Sequence, residues 1–117
     1  MFAYEDIVDL LSPQAKNSLS NLPTYEVFSE QTAQLIKEYT NVDINPTDIK
    51  PEWAKMPFVF IIEFLLNNKL NAQSPEQQTK VNANYKAALE ILKNHRVTTG
   101  LTNTKVGIIG DTYNVDF

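Results

Sequence analysis

Along the first hundred positions apolar residues recur at the three-to-four spacing of an α-helix, and polar or proline-bearing stretches cut that pattern into segments. Tyr4, Ile7, Val8 and Leu11 predict a first helix. Ser12-Pro13 then resets the chain: serine suits an N-cap and proline the first helical position, so a short second helix through Leu19 is expected, ended by Leu22-Pro23. Tyr25, Phe28, Leu35, Ile36 and Tyr39 make one stripe of a longer helix from about Thr24 to Thr40, with Glu30, Gln34, Lys37 and Glu38 mostly away from it. The stretch 41–51 carries Pro46 and Pro51 and reads as a polar connection.

A further helix is expected from about Pro51 to Leu70. Trp53, Met56, Phe60 and Phe64 lie on one side of it, and Phe58, Ile62, Leu65 and Leu66 cover much of the rest. A helix that is apolar nearly all round sits at the centre of a fold or is partly covered by another chain, so this segment is the expected organising element. Pro57 either kinks it or marks its true start. The last helix has the clearest signal. Ser74-Pro75-Glu76-Gln77 is a capping-box pattern with proline at the first helical position, and Val81, Tyr85, Ala88 and Leu92 follow on one face. Lys93, His95 and Arg96 bring basic groups to its end, where the helix dipole favours them.

Past Gly100 the composition changes. Val106, Ile108 and Ile109 with Gly107 and Gly110 suggest extended chain. The expected architecture is mainly α: a small bundle of four to five helices over residues 1–100, followed by an extended, partly β-prone C-terminal arm over 101–117.

Composition narrows the functional classes. The chain has 117 residues, 43% hydrophobic, enough for one domain with a core of its own. It has no cysteine, which excludes disulfides and thiolate chemistry. The formal net charge is −4 and Arg96 is the only arginine, a poor balance for binding nucleic-acid phosphates or an anionic membrane surface. The N-terminal residues read as no signal peptide, and the greasiest run, Pro57 to Leu66, is broken by Glu63 and is far shorter than the roughly 20 residues a bilayer requires. A soluble protein is expected.

The chemistry-bearing residues are few. His95 is the only histidine, so a Ser-His-Asp arrangement would have to be built around it. Glu63 interrupts an apolar run; it either satisfies itself in a polar seam or is a buried acid or base. Glu5, Asp6 and Asp9 form a small acidic patch without further ligands. The stretch from Asn41 to Asp48 fails as an EF-hand, lacking the turn glycine and the closing glutamate, and Gly107 to Gly110 is not followed by the Gly-Lys-Ser/Thr of a P-loop. No enzyme, catalytic residue, metal site or cofactor is expected.

The order of segments resembles the small α-helical head–tail connector (adaptor, or head-completion) proteins of tailed bacteriophages. The likeness is carried by Tyr4-Glu-Asp-Ile-Val-Asp-Leu10, by a helix ending in Leu35-Ile-Lys-Glu-Tyr39, by the proline-led Pro51-Glu-Trp-Ala-Lys55 that runs on into apolar residues, and by Tyr85-Lys-Ala-Ala-Leu-Glu-Ile-Leu92 before a C-terminal extension. It covers roughly positions 1 to 96. The resemblance implies a structural virion protein of the phage neck, made in the host bacterial cytoplasm. It implies a ring of about twelve subunits that meets the portal protein and downstream neck or tail proteins. DNA would slide through the channel without specific binding, which an acidic lining favours.

Contacts with neighbouring subunits or partners are expected at Phe58, Ile62 and Leu66 on the helix from about Pro51 to Leu70, and at Val106, Ile108, Ile109, Tyr113 and Phe117 on the arm. The competing reading is a small helical regulator that binds DNA or a protein partner, although no basic recognition helix is evident.

Overall fold

The computed structural model describes residues 1–70 and 74–97, and over them the chain is mainly helical. Five α-helices follow one another: α1 (Tyr4–Ile7), α2 (Pro13–Leu19), α3 (Leu22–Thr40), α4 (Lys55–Leu70) and α5 (Pro75–Asn94). Single 3₁₀ turns at Val8–Leu10 and Glu52–Ala54 extend α1 and lead into α4. No strand occurs among the described residues. The expected arm, 101–117, lies outside them.

Side-chain caps set the helix starts. Ser12 Oγ accepts from Ala15 N (3.3 Å) and Ser74 Oγ from Gln77 N (3.2 Å), each with proline at the head of the helix. The third start corrects the sequence reading. Leu22-Pro23 opens α3 and does not close α2, because Asn21 Oδ1 accepts from Thr24 N (3.1 Å) and proline fits the first turn of the new helix. Pro57 falls likewise in the first turn of α4, where no helical N–H is lost. Asn41 ends α3 in the left-handed region (φ 63°), and its backbone N–H returns to Lys37 O (2.8 Å).

α4 is the organising element, packing most extensively on α5 and next on α3. Phe58, Ile61 and Ile62 have no exposed surface, and neither do Ile7, Leu19, Ile36, Ile44 and Leu92, which come from every other part of the fold. Burying each such side chain contributes about 1.5–3 kcal/mol. The N-terminal segment closes the core from above: Phe2 packs on Phe58 with ring centroids 5.3 Å apart, and Tyr25 Oη donates to Phe2 O (2.6 Å). Tyr4 meets Tyr25 edge to face at 5.9 Å. On α3 the predicted stripe is also buried by Thr32 and Thr40, whose hydroxyls bond back to Phe28 O (2.8 Å) and Ile36 O (2.6 Å) and so enter the core satisfied.

Candidate assembly surface

Three residues expected to meet other subunits are core residues. Phe58 and Ile62 are wholly buried and Leu66 almost so. The reason is that α3, α5 and the N-terminal segment pack around α4, so most of its apolar surface is used up inside the chain. What α4 leaves half-covered is Phe60, Phe64 and Leu65, and Phe64 stacks flat on Tyr85 of α5 at 3.8 Å. Val106, Ile108, Ile109, Tyr113 and Phe117 lie outside the described residues.

The uncovered apolar surface is elsewhere. Between the N-terminal half of α3 and the C-terminal half of α4 runs an open groove of about 870 Å³. Pro23, Val27 and Phe28 form one wall and Leu65 and Leu66 the other, with Gln31 and Lys69 at the polar rim. Val27 is 53% exposed although it lies beside the buried stripe of the 19-residue α3. The stripe of Tyr25, Phe28 and Ile36 accounts for the core side of α3, and Val27 beside it is the sequence signal of a second apolar face. Leu22, also exposed, borders another depression of about 420 Å³ shared with Met1, Tyr4 and Tyr25. There the Met1 amino group donates to Pro46 O and to Ile49 O, tying the N-terminal segment to the 41–51 connection.

On the opposite flank of α4 the space is polar. Glu63 is half-buried and accepts a hydrogen bond from Ser12 N (3.0 Å) at the head of α2. Burial pushes its carboxyl above the ordinary carboxylate range, while the Ser12 bonds and the charge of Lys80 pull the other way. The cavity beside it, about 440 Å³, is lined by Leu10, Gln77, Lys80 and Asn84. Deeper in the same seam Asn67 Nδ2 donates to Gln78 Oε1 (2.6 Å), and Gln78 Nε2 to Asn82 Oδ1 (3.0 Å), so a polar relay joins α4 to α5. Glu63 therefore occupies the polar seam, one of the two roles its sequence position allowed. A single carboxylate, with no second acid and no histidine among the cavity-lining residues, offers a fastening point between helices.

His95 lies far in sequence from that seam and stacks on Trp53, ring centroids 4.5 Å apart and nearly parallel. Asp6 of the acidic patch is spoken for: its carboxylate meets Lys50 Nζ at 2.9 Å and accepts from Ala3 N (2.8 Å), and the Lys50 bond holds its pKa below the usual range. Among the described residues no group of three or more His, Asp and Glu side chains comes together to hold a metal ion, and no helix is long and apolar enough to cross a membrane.

The described chain ends at a fixed point. Val97 N donates to Thr40 O (2.8 Å), Asn41 Nδ2 to Val97 O (2.8 Å) and Arg96 Nη1 to Tyr39 O (3.1 Å). Val97, the last described residue, thus lies beside the C-terminal end of α3, at the other end of that helix from the groove. Comparison with protein-family models, with curated proteins and with solved structures finds no match to this chain.

Proposed function

We propose that the protein is a structural assembly subunit, a component of a phage neck that joins copies of itself into a ring between the portal and the tail and lengthens the DNA channel. The open apolar groove on α3 and α4 carries this reading: a surface of that kind gains by being covered, and Val27 on its α3 wall is left largely exposed. Two further features support it. The acidic balance suits a wall past which DNA must move without adhering. The segment order read from the sequence resembles that of head–tail connector proteins.

Native mass spectrometry of the full chain, alone and with a portal-type ring, tests the proposal. Closed oligomers of about twelve copies, formed alone or on the platform, are expected. A monomer under both conditions would overturn it. A gel shift at low salt separates it from the regulator reading: retarded DNA at micromolar protein would favour a DNA-binding regulator.

A further inference from the structure

We propose that the groove between α3 and α4 receives residues 106–117 of a second copy of this chain, bound as an extended segment with Ile109, Tyr113 and Phe117 turned into it. The inference rests on the ring reading and specifies the contact that would join neighbours.

Three observations lead to it. The first is the match of apolar patterns. In extended chain, alternate side chains share a face, so Ile109, Asp111, Tyr113, Val115 and Phe117 fall on one side, apolar at four of its five positions, which suits an apolar groove with a basic rim. The second is charge. The segment carries Asp111 and Asp116, and Lys69 stands at the groove rim. The third is where the chain leaves the fold. The hydrogen bonds from Val97 and to Val97 O fix the departure point beside Thr40 and Asn41. The groove is centred near Phe28, roughly 18 Å away along α3 at 1.5 Å per residue. Residues 98–105 can span about 26 Å when extended, which is enough to bring the apolar segment to a groove at that distance, and the ring reading assigns it to the groove of an adjoining copy.

A donor at one end of α3 and an acceptor at the other are different surfaces of the same subunit. Their pairing between copies is head-to-tail and repeats with each added subunit, which is the geometry that closes into a ring. Occupation of the chain's own groove would consume both surfaces and leave nothing to join neighbours.

Disulfide trapping in the full chain decides the matter, because the natural sequence has no cysteine to interfere. Gln31→Cys sits at the exposed groove rim and Val115→Cys on the segment face turned toward it. Oxidation of the double variant should give a ladder of covalent oligomers on a non-reducing gel. Adding Val27→Asp, an exposed position whose change leaves the core intact, should abolish most of the ladder. The pair Glu90→Cys with Val115→Cys, with Glu90 exposed on α5, should give a several-fold weaker one. A single fast-migrating monomer band that persists on dilution would place the segment in its own groove and overturn the inference. So would equal ladders from both pairs, or no cross-link at any concentration. Native mass spectrometry of the unsubstituted chain then separates the two claims. Rings without cross-links mean that only the docking site is wrong, whereas monomers even with a portal-type ring mean that the ring reading fails too.

Discussion

On one flank of α4, Glu63 reaches across to Ser12 and Asn67 across to Gln78, and the chain fastens its own helices with polar bonds. On the other, Leu65 and Leu66 face Pro23, Val27 and Phe28 over a groove that no described part of the chain fills. Both flanks belong to one helix only a few residues apart, so mean hydropathy does not separate them. The polar flank spends its hydrogen-bonding groups on holding α2 and α5 in place. The apolar flank packs on α3 through Phe28 and Leu66 at the floor of the groove and leaves Val27 exposed and Leu65 half-covered above it. The two sides of α4 are thus opposite in chemical character, and under the proposed function stability and association divide between them.

Substitutions can break that division or sharpen it. The largest effect is expected between the two flanks, in the shared interior: Ile62→Ala should cost about 2–5 kcal/mol in urea unfolding, since Ile62 is wholly buried and the space it leaves cannot refill. Next comes the fastened flank. Glu63→Ala strands the Ser12 N–H and should cost about 1 kcal/mol by the same measurement. The smallest change in stability belongs to the open flank, where Val27→Asp should stay within about 0.5 kcal/mol of the natural chain while removing oligomers in native mass spectrometry. If Val27→Asp instead unfolds the protein, the groove is part of the core and the division fails.

Acidity gives a fourth test, with opposite signs at two carboxylates. Burial raises the Glu63 pKa, so the folded protein keeps that proton to higher pH than the unfolded chain does. Its contribution to stability is full below the ordinary carboxylate range and is lost as pH rises through the raised value; Glu63→Gln should flatten that part of the stability–pH curve. Asp6 behaves the other way. Lys50 holds its pKa down, so its contribution is present above the ordinary range and is lost as pH falls through the lowered value. Asp6→Asn should remove that acid limb, as thermal melts across the acid range would record.

Helices and their caps were legible in the sequence wherever a cap, a proline and a periodic stripe agreed. Ser74-Pro75 and the run to Asn94 is the clear example, and Ser12-Pro13 the shorter one. The misreading at Leu22-Pro23 arose because proline ends one helix and begins the next by the same chemistry, and Asn21, the cap that decides between them, lies one residue earlier. The surface was harder. An all-round apolar α4 is compatible with a partner or with a core that surrounds it, and only the placement of Phe2, Ile7 and Leu11 over it shows that the core does so. Phe58, Ile62 and Leu66 were therefore assigned to the wrong side of the protein's boundary, and Val27, a lone valine beside a strong stripe, carried too weak a signal to replace them. Glu63 is a milder case: its polar neighbours come from α2 and α5, far away in sequence, so spacing within α4 alone does not reveal what satisfies it.

The stitching of Arg96 and Val97 to Tyr39, Thr40 and Asn41 bears on how the molecule would carry a load. Tension arriving through the polypeptide beyond Val97 meets these three bonds before it reaches the last turn of α5, much as a rope made fast to a cleat spares the mast. The strain is shared with the end of the 19-residue α3 and does not fall on the 20-residue α5 alone.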